Sequence, residues 1–299
     1  VNPRAGVIRL LVTYKDNMKT LIITCIYSDL WGTEFGGRSS RNHHYKLSLL
    51  NILKMNPTKC ICFTSKEEMP LLEKFFYKQN NLNENQIEFI TFDLKDTKFF
   101  ESIRNKKNIE EMKKTDRCYE VQYNKFLWTS HIKDIKNYDR VYWFDAGLSH
   151  GGIFPKEYMK NNSFEGHYII SLFTPEYLEH LNTLTQNKLV VVSKNNTGSY
   201  YWSTQLPHHY YNEFDRSEHI IGGFFGGTPE KYIEISDRFE NLLSEVLKNE
   251  KELYMEELLM SCLYFNDKDF FEPLKFDDWY KRENHTDPNI LYFYNIFLK

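Results

Sequence analysis

The sequence predicts an α/β fold, a mainly parallel twisted sheet flanked by helices, with an irregular, aromatic-rich C-terminal part. Short apolar, β-branched runs alternate with stretches of helical spacing through the first half of the chain. That β-α-β-α order calls for parallel strands joined by right-handed crossovers. With 299 residues the chain can also bury the sizeable core that such a sheet needs.

The elements follow in order. Lys19–Tyr27 (KTLIITCIY) reads as the opening strand, and a glycine-bearing loop covers Ser28–Ser40. His43–Met55 has helical spacing through Tyr45, Leu49, Ile52 and Leu53, and Pro57 ends it. Lys59–Thr64 is a second strand, Ser65 opens a helix whose first turn holds Glu67 and Glu68, and Gln86–Leu94 is a third strand. The charged stretch Asp96–Lys114 reads as a solvated helix, and Tyr119–Ile132 as another helix leading into the strand that ends at Asp145. Beyond it, His167–Phe173 and Lys188–Ser193 read as strands around a helix at Pro175–Gln186. Asn195–Asp215 reads as a long loop, Ile220–Phe225 as a strand, and Glu230–Leu247 and Leu253–Tyr264 as helices. The tail from Asp269 to Lys299 should pack back on the sheet. Residues 1–17 differ in texture and read as an N-terminal extension; residues 18–299 read as one domain.

Composition excludes several classes. The net charge of −3 with interspersed signs gives no global field for nucleic acid. Five cysteines are an odd number, and Cys25, Cys60 and Cys62 lie in apolar runs, which favours a reducing compartment. No window reaches the roughly 18–20 apolar residues of a membrane span.

Four constellations could carry chemistry. Asp145-Ala146-Gly147, followed by His150, places a carboxylate at the end of a buried strand, where open α/β sheets bind ligands. Its oxygens suit Mg²⁺ or Mn²⁺, which bridge protein to phosphate, although an Asp before Gly also serves as a simple turn cap. The loop Gly32–Arg41 offers glycines, Arg38 and Arg41 for a diphosphate, or is a flexible loop with solvated arginines. It is neither a Walker loop nor a dinucleotide fingerprint. Gly222-Gly223 inside a strand make room for a ligand or for tight packing. Glu256-Glu257 open a helix, either as a general base or as ordinary first-turn acids.

In this order the motifs resemble the GT-A class of nucleotide-sugar-dependent glycosyltransferases, from about Lys19 to Tyr264. Arg41, Tyr45, Ser48, Leu49 and Ile52 stand where that class has its Arg…Tyr…Ser-Leu…Ile helix, and Gln122 and Lys125 lie on the helix before the Asp-x-Asp strand. Asp145-Ala146-Gly147 occupies the Asp-x-Asp position, with Gly147 in place of the second Asp. The Trp-x-Asp-x-Gly core is similar to bacterial surface-polysaccharide transferases of the HtrL/YibB-like group.

The resemblance implies sugar transfer from a UDP-type donor to a glycan hydroxyl, with inversion if one of the two glutamates is the base and with retention if neither is. It assigns the nucleotide sugar to Arg38, Arg41, Gln122, Lys125, Asp145, Ala146, Gly147, Gly222 and Gly223. Asp145 would take Mn²⁺ or Mg²⁺, and Glu257 or Glu256 would act as base. Residues 18–152 would form the nucleotide-binding half and residues 153–299 the acceptor-binding half. It further implies a cytoplasmic protein of polysaccharide synthesis, at the inner face of the membrane. The rival readings are a nucleotidyltransferase acting on sugar phosphates and a non-catalytic carbohydrate-binding protein.

Overall fold

The computed structural model describes residues 18–27, 30, 33, 35, 42–112, 118–147, 173–195, 207–211 and 218–276. Seven strands form one sheet: β1 (Thr20–Ile26), β2 (Lys59–Thr64), β3 (Ile87–Thr91), β4 (Arg140–Phe144), β5 (Leu189–Asn195), β6 (Glu218–Gly227) and β7 (Phe271–Phe276), in the order β3-β2-β1-β4-β6-β5-β7. Four of the six neighbouring pairs are parallel. The two pairings of β6 are antiparallel. The α/β expectation with a mainly parallel sheet therefore holds.

The helices are α1 (Asn42–Ile52), α2 (Met69–Glu73), α3 (Phe100–Arg104), α4 (Ile109–Met112), α5 (Tyr119–Leu127), α6 (Pro175–Leu184), α7 (Pro229–Asn249) and α8 (Glu256–Asn266). α6 and α7 start as their sequences dictate. Thr174 and Thr228 each accept a backbone N–H of the first turn, and a proline follows each cap.

Alternation along β1 feeds two cores. Leu21 and Ile23 join Phe63, Trp128, Trp143, Phe225 and Phe239 on one face. Ile22 and Ile26 join Leu49, Ile52, Cys62, Tyr142 and Phe144 on the other. A central parallel strand is covered on both sides, which is why β1 is buried at all but one position. Phe126 of α5 stacks between Phe225 and Phe239 at centroid distances of 4.6 and 4.0 Å, tying α5, β6 and α7 together.

Several expectations change. The charged stretch 96–114 is not one solvated helix: it breaks into the short helices α3 and α4, whose Ile103 and Ile109 are buried. The helix expected over Tyr119–Ile132 ends at Leu127 and continues as a 3-10 turn over Trp128–His131. Phe173 lies outside any strand, and residues 167–172 are outside the described residues. Part of the aromatic tail is regular, because β7 pairs with β5 as an edge strand; residues 277–299 are not described.

Candidate functional site

The chain builds outward from β1 to β2 and β3, then crosses to β4 on the other side of β1. This reversal makes the carboxyl ends of β1 and β4 the topological switch point, where open α/β sheets take their ligands. Asp145 follows directly on β4, half-buried. Its backbone N–H donates to the Gly223 carbonyl at 2.9 Å, and Trp143 Nε1 donates to Oδ1 at 2.6 Å. Trp143 is itself locked between Trp128 and Phe225, so a rigid indole aims the carboxylate.

Ala146 is buried in the second core. At Gly147 a side chain has no room: a Cβ there would stand 2.4 Å from Tyr45 Cε1. The motif end of β4 thus lies against α1. The segment holding Arg38 and Arg41 connects β1 to α1; both arginines, like His150, lie outside the described residues.

Opposite stands a network that sequence reasoning assembled only in part. β6 extends beyond the last β4 pair, Phe144–Phe224, so its backbone groups from residue 222 back need other partners. α8 supplies them. The Ile220 N–H donates to Ser261 Oγ at 2.9 Å, and the Gly222 N–H donates to Glu257 Oε1 at 3.3 Å. Lys125 Nζ, from α5, donates to the Gly222 carbonyl and to Glu256 Oε1, both at 2.9 Å. Both members of this ion pair are 4% exposed. Gly222 has no side chain because the space is taken: a Cβ would meet Lys125 Nζ at 2.5 Å and Glu256 Oε1 at 2.9 Å.

Burial pulls the Lys125 ammonium down, and the carboxylates of Asp145 and Glu256 more than offset it, so its pKa lies above the ordinary lysine value. Cys25, at the end of β1, is pushed up by burial and then by Asp145, and Lys125 opposes that. These couplings place the ends of β1 and β4 and the last turn of α5 around one polar centre.

The expected residues therefore separate into groups. Asp145, Lys125, Gly222, Glu256 and Glu257 come together. Gly223 is the acceptor for the Asp145 N–H. Gln122 lies three residues before Lys125 on α5, with its buried Oε1 free of any hydrogen-bond partner among the described residues. Sequence reasoning missed Tyr123, Ser261 and Cys25 as parts of this region, and had Trp143 only as the first residue of the Trp-x-Asp-x-Gly core. Tyr123 OH donates to the Tyr254 carbonyl and so docks the start of α8 on α5. The only signals in the sequence were the Trp two residues before Asp145 and the Tyr two before Lys125.

Among the described residues, no group of three His, Cys, Asp or Glu stands together to hold a metal ion. Asp145 places a hard carboxylate oxygen at the carboxyl end of β4. That fits Mg²⁺ or Mn²⁺ only as one ligand of a site completed by waters and by phosphate oxygens.

No family model and no curated protein matches this sequence. Among solved structures the chain is similar to a 4-diphosphocytidyl-2C-methyl-D-erythritol synthase from Anaerococcus prevotii (12% identity, TM-score 0.45, 95% of this chain and 99% of that one). It is also similar to the galactosyltransferase LgtC in complex with donor and acceptor sugar analogs (12%, TM-score 0.46, 85% and 72%). An active-site mutant of LgtC gives 13% identity and a TM-score of 0.49 over 92% of this chain and 83% of that one.

Proposed function

We propose that this protein is a glycosyltransferase of GT-A type that moves a sugar from a nucleotide-diphosphate donor, UDP-type, to a hydroxyl of a glycan acceptor. The observation that supports it is that Asp145, at the sheet's switch point, and a helix-borne carboxylate, Glu257, bond to adjacent residues of β6, Gly223 and Gly222. A donor diphosphate would lie at the Asp145 end, with Gln122 for its polar groups and Arg38 and Arg41 from the segment between β1 and α1. Asp145 would hold a divalent cation, which when bound neutralises charge on the leaving diphosphate.

Glu257 is the better candidate base, because Glu256 is buried and committed to Lys125. Glu257 would take the acceptor hydroxyl proton as that oxygen bonds to the anomeric carbon and the bond to the diphosphate breaks, with inversion. On this reading residues 18–152 serve the donor and residues 153–299 the acceptor. The setting would be surface-polysaccharide synthesis of the HtrL/YibB kind, in the cytoplasm at the inner membrane face. Among the described residues no helix is long and apolar enough to cross a membrane.

UDP release from UDP-sugars with Mn²⁺ tests the proposal. Wild type should release UDP and Asp145→Ala should not, while equal release by both proteins rejects the role of Asp145. Release of pyrophosphate from a nucleoside triphosphate and a sugar phosphate would favour nucleotidyl transfer instead.

A further inference from the structure

A lysine whose head group is almost completely buried is costly to keep, and it persists only where its partners are fixed. Lys125 has two such partners, and they belong to different elements: the Gly222 carbonyl of β6 and Glu256 of α8. The other side of the same residue is also taken, since the Gly222 N–H donates to Glu257 Oε1. Residue 222 is thus gripped from both of its backbone polar groups. One grip leads to α5, the other to the carboxylate proposed as base.

The charged and titratable groups that face Lys125 are Asp145 from the end of β4, Cys25 from β1, and Glu256 and Glu257 from α8. Two acids adjacent in sequence take different posts. Glu256 turns inward to the ammonium and Glu257 stays partly exposed on the β6 side.

We propose that Lys125 is a positioning residue: held by Glu256, it pins the Gly222 peptide and thereby sets where Glu257 stands. The catalytic consequence rests on the transferase reading; the mechanical one does not. A plain structural ion pair would glue α5 to α8 and leave the Gly222–Glu257 contact indifferent to it. A positioning residue transmits its loss to that contact.

The test is amide hydrogen exchange resolved at Gly222, with the amide of Phe225, a residue in register with both β4 and β5, as internal reference, in wild type, Lys125→Met, Glu257→Ala and the double variant Lys125→Met/Glu256→Leu. The double variant removes both charges and keeps the measurement available should Lys125→Met alone not fold. Exchange at Gly222 should quicken about fivefold to tenfold relative to Phe225 in every folded variant, as expected for loss of one hydrogen bond. An unchanged Gly222 amide in a folded Lys125 variant overturns the proposal.

Turnover gives the second arm. In the double variant kcat should stay depressed with donor KM unchanged, even where the melting temperature returns to near the wild-type value. Recovery of kcat together with stability would reduce Lys125 to structural glue. A wild type inactive on every nucleotide sugar removes the transferase reading, and the exchange result then decides the role of Lys125 by itself.

Discussion

Gly222 and Gly226 lie four residues apart on the same strand, and each leaves out a side chain for a different tenant. At Gly222 the space belongs to the Lys125 ammonium and the Glu256 carboxylate. At Gly226 it belongs to the Tyr142 ring, with a Cβ falling 2.2 Å from Tyr142 Cδ1 and 2.6 Å from the Val141 carbonyl oxygen. Gly226 sits where β6 is paired to β4, with Tyr142 as its register partner. Gly222 sits where β6 has outrun β4 and is held by side chains. One glycine lets two strands pack, and the other lets a charged network form. Glycines in a strand therefore mark close approach, and only the neighbour says whether the approach serves the core or the site.

The largest effect should come from the carboxylate that ends this network. Glu257→Gln should lower turnover by about 10²–10⁴-fold, the usual worth of a general base, with nucleotide-sugar binding by calorimetry little changed. If Glu256→Gln produced that pattern instead, the assignment of the two acids would be reversed. Next comes the ion pair. Lys125→Met leaves a buried carboxylate uncompensated and should cost about 3–5 kcal/mol in urea unfolding.

The glycines themselves give smaller effects that split the two regions apart. Gly226→Ala collides with backbone that cannot move away, so a loss of about 1–3 kcal/mol of stability is expected, with kcat of the folded protein kept. Gly222→Ala collides with the end atoms of two side chains, Lys125 Nζ and Glu256 Oε1, which yield more readily than backbone but only by disturbing their pairing. Its cost should therefore appear more in turnover than in melting temperature. Equal behaviour of the two variants in both measurements would show that the two glycines do not serve different neighbours.

Much of this layout is legible in the chain because local patterns and tertiary packing agree. The runs TLIITCI, KCICFT and RVYWF are strands wherever they pack, and the Thr-Pro caps at 174–175 and 228–229 announce their helices. The stretch 96–114 misleads because charge dominates its composition, while the burial of Ile103 and Ile109 depends on neighbours far away in sequence. In the candidate site, Asp145 and the acidic pair stand out by type and place. What the sequence hides is that Glu256 pairs with Lys125 while Glu257 accepts the Gly222 N–H. That division depends on a lysine 131 residues away, which no local pattern can report.

A surface counterpart of the buried pair supplies the smallest prediction. Arg238 Nη1 lies 2.7 Å from Asp267 Oδ2, fastening α7 to the end of α8, but these side chains remain 34% and 40% exposed. The hydrogen bond from Arg238 holds the Asp267 carboxyl below the ordinary aspartate value. A carboxylate whose pKa is depressed on folding adds stability above its unfolded pKa of about 3.9 and loses it as pH falls through the lower folded value. Arg238→Met should therefore cost at most about 1 kcal/mol at neutral pH, screened further by salt, with the difference from wild type closing at acid pH. The Lys125 pair has the opposite sign. The raised ammonium contributes below the ordinary lysine pKa of about 10.4, and its contribution is lost only as pH rises through the higher folded value. Melting temperatures of both variants from pH 3 to 11 should thus show one gap closing at the acid end and the other at the alkaline end. Parallel curves would mean that neither pair is coupled to folding as the contacts require.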